Sequence, residues 1–125
     1  MRRMSNRPLV CSCSGCSNLA QLANDLTLRL CREGLADMYC TAGIGTLPSR
    51  LDEARDGRPL IALDGCPQHC AAACLARHGL TPHTHLTLSE YGLRRRDNER
   101  CSAQQSELLY EEVAYLLKVL ASQRA

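Results

Sequence analysis

Cysteine is the residue type in this chain whose spacing points to chemistry. Of the nine cysteines, all but Cys31 and Cys101 fall in three short segments. These are Cys11-Ser12-Cys13-Ser14-Gly15-Cys16, then Tyr39-Cys40-Thr41-Ala42-Gly43-Ile44-Gly45, then Asp64-Gly65-Cys66-Pro67-Gln68-His69-Cys70 continuing to Cys74. Cys13 and Cys16 have CxxC spacing, and Cys66 and Cys70 have CxxxC spacing. Thiolates grouped in this way hold soft or borderline metal ions or carry out redox exchange. The alternative for any one of them taken alone is a buried cysteine used as a small apolar side chain.

The elements that position these segments follow from the apolar pattern. A short strand at Leu9-Val10-Cys11 precedes a helix with Leu19, Leu22, Ala23, Leu26 and Leu30 at helical spacing, capped by Ser17 or Asn18 and closed by Gly34. Ala36 to Tyr39 is expected to be a second strand, and Pro48 to Arg55 a weak helix that stops at Gly57. Leu60 to Leu63 is apolar on both faces, as a central parallel strand should be. Pro67 suits the first turn of a helix running to His78 and closed by Gly79. Leu86-Thr87-Leu88 is expected as a fourth strand. Ser102 with Gln105 forms a capping box before a final amphipathic helix.

This strand–helix alternation predicts a three-layer α/β fold with a four-stranded parallel sheet in the order 2-1-3-4. The chain, residues 1–125, is of single-domain length. Its core must be aliphatic, because Phe and Trp are absent and the aromatics are four Tyr. A net charge of +2 gives no field to steer nucleic acid, so no nucleic-acid partner is expected. No apolar run approaches a membrane span, so no membrane partner is expected either. Met1 to Arg7 is basic, but Pro8, Leu9 and Val10 are too few for the apolar part of a secretory signal. The expected location is the reducing cytoplasm, where clustered cysteines serve as ligands or catalysts rather than staples.

In the order 2-1-3-4, the strand ends at Cys13, Cys40 and Cys66 are neighbours on the carboxyl edge, where open α/β sheets bind ligands. Cys66 before Pro67 would sit at the helix N-cap, where free N–H groups favour a thiolate. Cys66, Cys70 and Cys74 would share one helix face, with Cys74 two turns in and too deep to reach a metal at the helix start. His69 would be a partly exposed helix residue turned away from that stripe. His83 and His85 precede the expected fourth strand and would lie at the amino edge, away from the crevice. Gly43 and Gly45 could bring N–H groups to an anion or a sulfur, and Asp64 could hold the loop by hydrogen bonds. Cys11, inside the first strand, reads as a packing residue, and Cys31, in the last turn of the first helix, as a core or surface residue. Cys101 adjoins Arg94-Arg95-Arg96, which is a solvated charge cluster or an anion site. A C-x5-R phosphatase loop is absent, because Ser17 and Leu19 stand where the Arg would be. The Cys13–Cys16 pair at a strand-to-helix turn keeps a thioredoxin-like redox role open.

Cys13-Ser-Gly-Cys16-Ser-Asn18 with Gln21 to Asn24, Cys40 to Gly45, and Ile61 through Asp64-Gly65-Cys66 to Cys70 together resemble the DGC-domain family. Its members are small proteins named for their Asp-Gly-Cys motif and expected to bind zinc. The resemblance spans roughly Leu9 to Gly92 and implies four chelating cysteines, which fall here on Cys13, Cys40, Cys66 and Cys70. No reaction is established for the family. Local spacing favours Cys16 as the fourth ligand; the family pattern and strand adjacency favour Cys40, which is preferred. The leading expectation is a Zn²⁺-binding protein with a closed thiolate site serving metal homeostasis or sensing, with no protein partner identified. The alternative is a thiol-based reductase or sulfur carrier with Cys66 as nucleophile. A third reading, in which three cysteines leave a zinc-bound water with Asp64 as base, ranks last.

Overall fold

The computed structural model describes residues 7–13, 17–39, 59–65, 69–94, 96 and 99–124. Along the chain these form β1 (Leu9–Ser12), α1 (Asn18–Arg32), β2 (Asp37–Met38), β3 (Leu60–Asp64), α2 (Cys70–Arg77), β4 (Thr84–Thr87), a 3-10 turn (Leu88–Tyr91) and α3 (Ala103–Arg124). The strands form one parallel sheet in the order β2-β1-β3-β4, as the alternation predicted. The expected helix over Pro48 to Arg55 lies outside the described residues.

β1 and β3 are buried along their whole length, because each has a neighbour on both sides. The connections run outward from this central pair in opposite directions. With right-handed crossovers, that places α1 and α2 on opposite faces of the sheet. α1 buries Leu19, Leu22, Leu26 and Leu30, each stabilising by about 1.5–3 kcal/mol before the entropy cost of ordering. Ser17 caps α1 by accepting the Ala20 N–H at 3.1 Å. The buried Thr27 hydroxyl donates to the Ala23 carbonyl at 2.8 Å.

The two sheet-flanking helices close alike. Gly34 (φ 78°) and Gly79 (φ 75°) turn left-handed after α1 and α2. The N–H groups of Leu35 and Leu80 then return to the carbonyls of Leu30 and Leu75, each at 3.0 Å.

α3 packs on α1 and starts with the expected capping box. The Gln105 N–H donates to Ser102 Oγ at 3.1 Å, and the Ser102 N–H donates to Gln105 Oε1 at 3.0 Å. Across that interface Arg29 forks onto Glu107, at 2.6 and 3.2 Å, and stacks 3.7 Å from the centre of the Tyr110 ring. The Tyr110 hydroxyl donates to Glu33. Burial, followed by that carboxylate, pushes the Tyr110 phenol up to about 12.

Two boundaries differ from expectation. β4 starts at Thr84 rather than Leu86, and Leu88 already belongs to the 3-10 turn. An edge strand needs apolar residues on one face only, so Thr84 and His85 belong to it despite their polarity. α2 starts at Cys70 rather than Pro67, with His69 as its N-cap residue in the left-handed region (φ 54°, ψ 47°). Its first N–H groups are satisfied from outside the segment, so no capping signal stands beside it in the sequence.

Candidate functional site

Asp64 closes β3 at the carboxyl edge, with 0 % of its surface exposed. Its carboxylate is fully engaged. Oδ1 accepts the Ala71 N–H at 2.7 Å, and Oδ2 accepts the Ala72 N–H at 3.2 Å. These are the second and third residues of α2, the donors that an N-cap Asp would normally take. A residue five positions before the N-cap therefore caps the helix, and its negative charge meets the positive end of the helix dipole.

The same Oδ2 lies 2.7 Å from His85 Nε2 on β4. In parallel register Ala62 pairs with His85 and Asp64 with Thr87, so Asp64 and His85 are diagonal neighbours on one face. His85 therefore sits beside the crevice residues rather than at the amino edge, which corrects the sequence expectation. The earlier start of β4 moves it there. Its ring meets that of His69 edge to face, with centroids 4.6 Å apart. His69 thus belongs to this cluster, although the sequence placed it within a helix and turned aside. His83 does stand at the amino edge, where its Nδ1 accepts the Leu60 N–H at 2.9 Å.

Gly65 follows, and its lack of a side chain is a steric requirement. A Cβ built there would lie 2.6 Å from the Leu19 carbonyl carbon and 2.7 Å from its oxygen, inside the backbone of α1. This close approach lets the Gly65 N–H donate to Cys13 Sγ at 3.1 Å. The Gly65 carbonyl accepts the Ser89 N–H at 3.0 Å. Asp64 and Gly65 therefore have separate jobs: one fixes the start of α2, and the other brings a backbone donor to sulfur.

Cys13, just past β1, is 9 % exposed, and its N–H donates to the Leu63 carbonyl at 3.1 Å. Cys70 is the exposed first residue of α2, also on the carboxyl edge, and Cys74 is half-buried one turn further on. Cys16, Cys40 and Cys66, with Gly43, Gly45 and Pro67, lie outside the described residues. Cys11 is fully buried in β1 and packs, as expected. Cys31 is half-buried in the last turn of α1. Cys101 donates its S–H to the Asn18 carbonyl at 3.7 Å, and burial raises its pKa, which suits a neutral packing thiol.

None of the six described cysteines is in a disulfide. Among the described residues, no group of three or more His, Cys, Asp or Glu side chains is arranged to hold a metal ion. Among them, too, no helix is long and apolar enough to cross a membrane.

A family model described as the DGC domain matches residues 9–113. Over 111 residues the chain is 59 % identical to a Pseudomonas aeruginosa protein named "Anaerobic and virulence modulator AnvM". That alignment covers 88 % of this chain and 85 % of the relative. No solved structure matches the chain.

Proposed function

The chain belongs to the DGC-domain family, and from that premise we propose that it is a zinc-binding regulatory protein with Cys13, Cys40, Cys66 and Cys70 as ligands. The observation that carries the proposal is the 3.1 Å bond from the Gly65 N–H to Cys13 Sγ. A backbone donor aimed at sulfur stabilises the thiolate, the form that binds metal. The donor set also fits zinc by type, since thiolate sulfur suits a borderline-soft cation. Asp64 is an unsuitable ligand, because its oxygens already serve Ala71, Ala72 and His85. Its role is to hold α2, and hence Cys70, against the sheet.

Zinc bound by four thiolates would supply a closed site that ties together separate parts of the chain, without an open position for substrate. Such a site suits sensing or metal homeostasis better than turnover. The word "modulator" in the name of the P. aeruginosa relative supports a regulatory reading. The proposal includes the reducing cytoplasm as location, where the thiols stay available to metal.

Elemental analysis of protein purified without added metal is expected to find about one zinc per chain. Cys66→Ser should abolish retention, and Cys31→Ser, on the last turn of α1, should leave it unchanged. Full retention in Cys16→Ser supports Cys40 as fourth ligand, and loss replaces Cys40 by Cys16. Metal-free protein in which Cys66 alkylates rapidly near or below pH 7 would overturn the proposal in favour of a thiol-based reductase or sulfur carrier.

A further inference from the structure

We propose that the pocket between the start of α1 and the start of α3 binds a small phosphate-bearing anion. The pocket has a volume of about 430 Å³, and Arg94, Arg96 and Arg100 line it, with Glu99 as the one opposing carboxylate among the described residues. Its size falls in the range of small-molecule sites. Glu99 approaches Arg96 at 3.7 Å, a long contact between two exposed groups. The described lining residues therefore carry an excess of positive charge. Three arginines line this one concavity, and the planar guanidinium fork matches phosphate oxygens in pairs.

A solvated arginine run would need no scaffold, but this one has a buried scaffold. Asn18 is 8 % exposed, and its amide spends both ends on the backbone of the run. Its Nδ2 donates to the Arg94 carbonyl at 2.9 Å, and its Oδ1 accepts the Arg96 N–H at 2.7 Å. The Asn18 main-chain N–H donates to the Arg96 carbonyl at 2.9 Å. Three hydrogen bonds therefore fix the backbone that carries Arg94 and Arg96, which lowers the entropy cost of gathering their side chains around a ligand. Ser102 and Gln105 also line the pocket and mark the start of the 22-residue α3, whose positive dipole end adds to the same field. The excess of cationic groups favours a doubly charged phosphate over a single carboxylate.

The test is isothermal titration of the full chain, as purified, with inorganic pyrophosphate against sodium chloride of matched ionic strength. Saturable binding of one pyrophosphate per chain is expected. The double substitution Arg94→Gln with Arg100→Gln should weaken it at least about tenfold, since each lost charged hydrogen bond is worth about that factor. Arg77→Gln, an exposed arginine at the end of α2, should leave it unchanged. Both variants alter exposed side chains, and their far-UV spectra serve as the folding control. Tighter binding of ADP than of pyrophosphate identifies a nucleotide as the source of the phosphate, and equal binding identifies the phosphate group itself. The proposal is overturned if pyrophosphate shows no saturation up to about 10 mM, or if the double variant binds it as well as Arg77→Gln does.

Discussion

Replacing Asp64 by Asn changes one atom in shape and removes one charge at the joint of β3, α2 and β4. The amide oxygen can keep the 2.7 Å bond from Ala71. The amide nitrogen then faces the Ala72 N–H, donor against donor, where an acceptor stood at 3.2 Å. His85 Nε2 can accept from that nitrogen if its proton moves to Nδ1, so this contact survives with the tautomer switched. The net losses are one capping bond and the charge at the helix start. A cap contributes about 0.5–2 kcal/mol and the charge about 0.3–2 kcal/mol. Relief from burying a charge offsets part of this, leaving about 2 kcal/mol of destabilisation. For a chain of this length that corresponds to a fall in Tm of roughly 6–10 °C. Asp64→Ala leaves all three partners without an acceptor and should cost about twice as much. Urea denaturation followed by circular dichroism checks this, with excess chelator present so that a lost metal contributes nothing. If Asp64→Asn unfolds within about 0.5 kcal/mol of the parent chain, remote capping is not what secures α2.

Gly65→Ala places a Cβ inside the α1 backbone and should destabilise by about 1–3 kcal/mol; in the metal-free protein it should also slow alkylation of Cys13 near neutral pH, because the sulfur loses the backbone donor that stabilises its thiolate, and an unchanged alkylation rate would refute that role. Tyr110, with its phenol held at about 12, favours the folded state while protonated. Its contribution should be complete below pH ~10 and lost as pH rises from about 10 towards 12. Tyr110→Phe should flatten that alkaline loss, and absorbance at the tyrosinate band should show one fewer late-titrating ring of the four tyrosines.

The sheet and its order were legible because buried strands and right-handed crossovers leave few arrangements. Leu60 to Leu63 is apolar on both faces, and a strand of that kind belongs in the middle. His85 was misplaced because apolar runs locate central strands well and edge strands poorly. Its alternation in Thr84-His85-Leu86-Thr87 carried the signal, read two residues too late. The start of α2 was illegible for another reason: its cap is Asp64, held across the sheet edge, while Pro67 advertised an earlier start. For the site, Cys13 and Cys70 do stand on the carboxyl edge as expected, while Cys16, Cys40 and Cys66 fall outside the described residues. The arginine run was visible, but its buried clamp was not, since Asn18 and Arg94 are 76 residues apart and neither residue type announces the other.

The bond between Cys13 and Gly65 also has a history in time. The two residues are 52 positions apart, and β1 has no β3 to pair with until that stretch has been made. At about 5–20 residues per second, a ribosome takes roughly 3–10 s to supply the donor that the sulfur will use. During that interval the first thiol of the site is a nascent-chain thiol, open to whatever oxidant or metal the surroundings hold. Until β3 is made and pairs with β1, the sheet cannot shield this sulfur. Protein made with and without air can differ at Cys13 even when the two samples are later handled identically.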